Sequence, residues 1–250
     1  MLAVGMAGGL GLGTALVLLR GWLRRRVQGP TKIERMGLPV FATINYSSLA
    51  DTRGSRKGDM PILAISQPTD LTIEAFRSLR TSLHFGMLDA QTPTLTIPST
   101  HPGAGKSFLA ANLAVVAAEA GQRVCLIDAD LRRGQLRCYF GLPRNHPGPA
   151  EVLAGDLEPE AVVQPQSVER LFFIGTGRYP PNPSELLMRP ELNRLIDWCA
   201  AEFELVLFDT PPVRAMAGPA FQRTRRRWRG SDRNMAFRSG SPKPSSPSTT

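Results

Sequence analysis

Hydrophobic positions change their spacing several times along the chain, and each change marks an element. Between residues 70 and 87, Ile73, Phe76, Leu79 and Leu83 recur at steps of three and four, the stripe of an amphipathic helix, with Asp70 or Thr69 placed to cap its start. Residues 94–98, 124–127, 171–174 and 205–208 are short, largely apolar runs that read as strands, and residues 40–44 read as another short one. Helical patterns fill the gaps: 106–120, ended by Gly121; a short one at 150–153; and 182–201, where Asn182 caps, Pro183 takes the first turn and Glu185 reaches back. Apolar strands alternating with helices predict an α/β fold, a parallel sheet flanked by helices on both faces. No internal repeat is visible. After Val213 the periodicity is lost, and residues 214–250 read as a disordered basic tail.

The start of the chain follows a different pattern. Residues 1–19 carry no charge, and a helix of about 17–25 apolar residues spans a bilayer. Arg20, Arg24, Arg25 and Arg26 follow, with Trp22 among them, which places that flank in the cytoplasm with an aromatic at the interface. A cleaved signal peptide would carry its basic residues before the apolar run rather than after it. The expectation is a single transmembrane helix over 1–19. Gly5, Gly9 and Gly13 form either a packing face or the ordinary glycine content of a membrane helix. Residues 20–68 read as a juxtamembrane segment and exposed linker, and 69–213 as the folded domain.

Charge and cysteine content narrow the function classes. The formal net charge is +9, but residues 214–250 hold nine basic side chains against one acid, Asp232. The remainder is close to neutral, so the basic balance gives no reason to expect a nucleic-acid partner for the domain. Cys125, Cys138 and Cys199 make no CxxC or metal-ligand spacing and read as buried reduced thiols, Cys125 in an apolar run and Cys199 in a helix pattern.

The chemistry concentrates at three strand ends. The segment from Thr100 to Ser107, THPGAGKS, follows a strand and opens a helix, as a phosphate-binding loop must, although Thr100 replaces the usual first glycine. Backbone N–H groups of such a loop wrap phosphate oxygens and the helix N-terminus adds positive potential. Pro102, Gly103, Ala104, Gly105, Lys106, Ser107 and Phe108 are therefore the nucleotide-binding candidates. Lys106 is expected on the β- and γ-phosphates and the Ser107 hydroxyl on Mg²⁺. The strand at 124–127 runs into Asp128-Ala-Asp130-Leu-Arg132, and the strand at 205–208 into Asp209-Thr-Pro-Pro. In a parallel sheet these acids emerge at the same edge as the phosphate loop, where carboxylates suit Mg²⁺. A lone strand-end aspartate often only caps the next helix; two such ends beside the strand end that carries the phosphate loop favour a Mg-ATP site.

These residues resemble the bacterial tyrosine kinases of capsule and exopolysaccharide synthesis, P-loop ATPases related to the septum-site and plasmid-partition type. The similarity runs over residues 1–213 through GLPVFATIN, EAFRSLRTSLHF, THPGAGKS, LIDADLRRG, PPNPSELL and FDTPPV. The resemblance implies a membrane-bound tyrosine autokinase with its kinase domain in the cytoplasm at the bacterial inner membrane. It implies catalytic roles for Lys106, Asp128 and Asp130, Mg²⁺ at Ser107, Asp128, Asp130 and Asp209, and activation of the attacking tyrosine by one of Asp128 and Asp130. Glu74, Arg77 and Arg80, which by spacing alone are a solvated charged face with an internal pair, resemble the family's ExxRxxR contact that closes a homo-oligomeric ring. Polysaccharide export machinery and a cognate tyrosine phosphatase are the implied partners.

The chain also departs from that pattern. Gln135 stands where some members carry a tyrosine. Tyr46, Tyr139 and Tyr179 are its only tyrosines, so no tyrosine-rich segment follows Val213. The composition beyond Val213 resembles an out-of-frame reading, with a genuine arginine-rich tail as the alternative. The expectation from these departures is a domain incomplete at its C-terminus and weak or absent kinase activity. A non-kinase P-loop ATPase acting in assembly or positioning at the membrane is the second reading, and a non-catalytic remnant the third.

Overall fold

The apolar runs at two strand positions, 124–128 and 205–209, are buried along their whole length and pair in one sheet. The structure, a computed structural model, describes residues 11, 13–14, 34–35, 37, 39–45, 60–99, 103–143 and 145–211. It divides into two units, Met1–Thr43 and Ile44–Thr250. In the first, Gly11, Gly13 and Thr14 are helical, and the Gly37 N–H donates to the Glu34 carbonyl at 2.9 Å. Most of the span expected over 1–19 lies outside the described residues, as does the tail beyond Pro211. No helix among the described residues is long and apolar enough to cross a membrane. The strand expected at 40–44 does not form: residues 39–45 have no regular structure, since no ladder among the described residues supplies them with a partner.

The second unit begins its packing before residue 69. The Met60 N–H donates to the Cys138 carbonyl at 2.9 Å, and Ile62, Leu63 and Ala64 are buried, the last two within a one-turn helix, α1 (Leu63–Ser66). Residues 60–66 thus belong to the folded domain rather than to an exposed linker. Next comes α2 (Leu71–Gly86), capped by the Asp70 side chain, which accepts from the Thr72 N–H. The remaining elements are β1 (Thr94–Ile97), α3 (Lys106–Glu119), β2 (Val124–Asp128), α4 (Pro149–Ala154), β3 (Gln164–Pro165), β4 (Leu171–Ile174), α5 (Pro183–Leu186), α6 (Glu191–Glu202) and β5 (Leu205–Asp209).

The strand order is β1-β5-β2-β4-β3. Four strands are parallel; the two-residue β3 runs antiparallel to β4, so the sheet is mixed where a wholly parallel one was expected. Cys125, Ile127, Val206, Phe208 and Ile174 lie in one core cluster with Leu195, Cys199 and Phe203 from α6 and its end. The alternate residues Val124, Leu126, Leu207 and Phe173 are equally buried, which is why these strands show no polar alternation. The first helix of the second layer, α3, is buried almost all round from Ala110 to Ala118, its alanines permitting close approach, and α2 packs against it with Phe76 edge-on to Phe108 at 5.9 Å. Cys125, Cys138 and Cys199 are free thiols, two of them fully buried.

One buried polar contact fastens α1 to α3. Asn112 Oδ1 accepts from the Ala64 N–H at 2.8 Å, and Asn112 Nδ2 donates to the Phe108 carbonyl at 2.8 Å. An unpaired buried N–H costs about 1–3 kcal/mol, so this amide closes what an alanine would leave open. The helix expected over 182–201 is broken in two. Pro190 has no N–H to give and disfavours helical geometry in the residue before it, so α5 ends early and Pro190 becomes the N-terminal flank of α6. Asn182 makes no side-chain cap; it donates instead to the Glu185 carboxylate at 3.1 Å.

Candidate nucleotide site

Strand register brings the chemistry together. β5 lies between β1 and β2, pairing Ile97 with Asp209 on one side and Asp128 with Asp209 on the other. The carboxyl ends of three neighbouring strands therefore present the phosphate loop, Asp209 and the Asp128–Asp130 pair in a row. Within the loop, Gly105 has φ 83° and flanks the first turn of α3, a left-handed geometry that an L side chain rarely adopts. Gly103, Ala104 and Gly105 are exposed, as a backbone that must meet a ligand requires. Thr100, His101 and Pro102 lie outside the described residues.

Lys106 and Ser107 turn toward Asp209. Lys106 Nζ lies 3.0 Å from Asp209 Oδ1 and 3.5 Å from Asp130 Oδ2, and Ser107 Oγ donates to Asp209 Oδ2 at 2.5 Å. Both Asp209 oxygens are thus engaged by the first two residues of α3. Burial raises the Asp209 carboxyl above its ordinary range against the opposing pull of Ser107 and Lys106. Asp128 is raised further, first by complete burial and then by the charge of Asp209.

Asp128 and Asp130 do different things. Asp128 Oδ1 accepts from the Asp130 N–H at 3.2 Å and Oδ2 from the Leu136 N–H at 3.1 Å, so both oxygens tie down the following loop. Asp130 Oδ1 accepts from the Arg132 and Arg133 N–H groups, while its Oδ2 faces Lys106. Arg132 reaches across to Ser184 Oγ at 3.1 Å, joining this loop to the PPNPSELL segment. Phe108 turns its ring onto Phe76 and its carbonyl to Asn112 Nδ2, so neither is directed at a ligand.

The donor set suits Mg²⁺. Ser107 Oγ and the Asp130 and Asp209 carboxylates are all hard oxygens, and the Ser107–Asp209 contact brings two of them to one point. No three acids among the described residues form a ready-made metal cage.

Glu74 and Arg77 pair on the exposed side of α2, and Arg77 Nη2 donates to the Pro68 carbonyl at 3.2 Å. Arg80 meets only the Thr81 hydroxyl among the described residues, at 3.5 Å. Spacing does not single out Asn112, buried in α3 against α1, or Gly134, Glu151 and Thr176, buried at the loops after β2 and β4.

Comparison with known proteins now adds the lineage. Residues 95–196 match the CobQ/CobB/MinD/ParA nucleotide binding domain. Among solved structures, the BceF tyrosine kinase domain superposes with a TM-score of 0.69 at 41% identity, covering 76% of this chain and 77% of that one. The kinase domain of Escherichia coli tyrosine kinase ETK gives 0.70 at 41% identity, covering 76% of each. The chain belongs to the bacterial tyrosine kinases. The tyrosine-protein kinase wzc of Salmonella typhimurium is 40% identical over 85% of this bacterial tyrosine kinase chain, and the tyrosine-protein kinase etk of Escherichia coli K12 is 39% identical over 85%. The chain spans 30% and 31% of the length of those two curated relatives.

Proposed function

We propose that this chain is the nucleotide-binding part of a membrane-anchored tyrosine autokinase that transfers the γ-phosphate of Mg-ATP to tyrosine on a neighbouring subunit, in the control of capsular or exopolysaccharide polymerisation and export. The observation that carries the reading is the meeting of Lys106, Ser107, Asp130 and Asp209 at the ends of adjacent strands. In this reading Lys106 leaves Asp209 for the β- and γ-phosphates. Ser107, Asp130 and Asp209 hold Mg²⁺, directly or through its waters, with Asp128 behind them. Bound Mg²⁺ would supply charge neutralisation on the phosphates. One of Asp128 and Asp130 would draw the proton of the acceptor hydroxyl, and Asp130 is the better placed because one of its oxygens is not committed to backbone donors. The apolar 1–19 segment supports attachment to the inner membrane with this domain in the cytoplasm. The export machinery and a cognate phosphatase are the partners the reading implies.

The test is tyrosine labelling. The purified chain in detergent, given Mg-ATP and a synthetic Glu-Tyr polymer as acceptor, is expected to produce a weak phosphotyrosine signal on an immunoblot, as the departures beyond Val213 imply, and one that Lys106→Met abolishes. ATP turnover without phosphotyrosine on polymer or chain would favour the second reading, a P-loop ATPase of membrane-associated assembly.

The ring contact belongs to the same proposal. Arg80, which meets no carboxylate among the described residues, is the donor best placed to reach a second subunit. Replacing Arg77 and Arg80 by alanine is expected to convert oligomers to monomers in light scattering. An unchanged mass would return all three residues to a solvated face.

A further inference from the structure

We propose that Glu151 is a positioning residue for phosphoryl transfer: its buried carboxylate clamps the loop after β4, and that loop holds the acid-bearing loop after β2 in place. The inference rests on reading residues 128–134 as the loop that carries the reaction's acids.

Glu151 sits in the first turn of α4 and is 5% exposed. One of its oxygens behaves as a helix cap: Oε2 accepts from the Gly148 N–H at 2.8 Å. The other turns away from its own helix. Oε1 accepts from the Arg178 N–H at 2.9 Å and from Arg178 Nε at 3.1 Å, 27 residues further along the chain. A cap alone needs only the first of these contacts. Burial works to raise the carboxyl, yet the Arg178 and Gly148 N–H groups and the Arg178 side chain outweigh it and keep Glu151 below its ordinary range, hence ionised. Arg178 also approaches Asp156 at 4.0 Å and is itself mostly exposed, so the buried partner of the pair is the acid.

The clamped loop is seated without slack. Gly177 has φ 77°, and a Cβ there would lie 2.0 Å from Glu151 Oε2, so its backbone rests directly on the carboxylate. Ala150 adds a long N–H contact to the Thr176 carbonyl at 3.4 Å. Thr176 is 4% exposed and faces the other way. A Cβ added at Gly134 would come 2.2 Å from Thr176 Cγ2, 2.7 Å from Thr176 Oγ1 and 2.9 Å from Asp128 Oδ2. Gly134 is therefore the place where the β4 loop, the acid loop and Asp128 meet. The Tyr179 hydroxyl makes a second tie, donating to the Gly134 carbonyl at 3.3 Å. Gly134 in turn donates to the Asp130 carbonyl at 2.8 Å. A continuous path of contacts thus leads from Glu151 through Gly177, Thr176 and Gly134 to Asp128 and Asp130. None of these contacts involves α3, which carries Lys106 and Ser107.

The path separates two quantities. Nucleotide affinity depends on the phosphate loop and α3, whereas transfer depends also on where the acids stand, and a misplacement of about 1 Å is enough to slow a reaction. Glu151→Gln keeps the size but removes the charge and gives one donor N–H another donor to face. Hydrogen exchange is expected to quicken in peptides covering 128–136 and 175–179, with 106–119 unchanged. The turnover number per nucleotide site, titrated with a fluorescent ADP analogue, is expected to fall about tenfold or more while the KM for ATP stays within about twofold. Thr176→Ala should give the same pattern, and the double variant should add little to either, since both cut one path. Exchange that quickens throughout the domain, or a loss of nucleotide sites with turnover per site unchanged, would make Glu151 an ordinary structural residue and overturn the proposal. If wild type makes no phosphotyrosine, the kinase reading fails, and the exchange pattern still decides whether Glu151 holds the acid loop.

Discussion

Lys106→Met will weaken Mg-ATP binding by at least tenfold and cut phosphoryl transfer further. The Lys106 side chain is 13% exposed and its ammonium makes charge-assisted contacts, worth about 1.5–3 kcal/mol each, or roughly one to two decades in affinity. It is also the cation that compensates Asp209 and Asp130 before nucleotide arrives, at 3.0 and 3.5 Å. The variant therefore carries a second signature. Removing one partner of a buried pair leaves the other charge uncompensated, whereas removing both relieves it. Without nucleotide, Lys106→Met should unfold at lower urea than wild type. Lys106→Met/Asp209→Asn should recover much of that loss while binding Mg-ATP no better. Fluorescent-ATP titration and urea denaturation read the two effects separately. Equal titration curves for wild type and Lys106→Met would remove Lys106 from the site.

The strand ends were legible because each combines an apolar run with a change of chemistry at its last residue. Ile127-Asp128 and Phe208-Asp209 announce both the strand and its edge, and the loop before Lys106 announces the ligand class. The register that sets Asp128 against Asp209 is a sheet property, which no local pattern carries. The break at Pro190 was written in the sequence, but the apolar stripe on either side of it masks the interruption. The strand β3, only two residues long, is defined by its neighbour rather than by its own composition. In α1, Leu63 and Ala64 are too few to show a period, and their burial comes from α3 through Asn112. Glu151 is the instructive miss. In sequence it follows Gly148 and Pro149 as an acid in a first turn, the ordinary mark of a helix cap. Its second oxygen serves a loop that only the fold brings near.

Asp209→Asn is expected to set stability against activity. In the site without nucleotide, Asp209 is 1% exposed and lies beside Asp128, and burial raises both carboxyls above their usual range. A carboxyl raised on folding binds protons more readily in the folded state than in the unfolded one. The stability linked to it is therefore lost as pH rises from the unfolded value, 3.8, through the folded value. Asparagine occupies the same volume. Its oxygen can accept from Lys106, its nitrogen can donate to Ser107 Oγ, and Asp130 remains as a carboxylate 3.5 Å from the lysine. The nucleotide-free variant should thus melt no lower than wild type above that window and show a shallower fall with rising pH. Phosphoryl transfer should move in the opposite direction. On the proposed reading the negative charge that costs stability in the free site would bind Mg²⁺ beside the phosphates, and losing such a preorganised charge costs about 10²–10³ in rate. Melting curves across pH without nucleotide, paired with phosphotyrosine formation under Mg-ATP, measure the two sides of this opposition. A variant that melts well below wild type at neutral pH, or that transfers phosphate within about threefold of it, would show that Asp209 is held for the fold and not for the reaction.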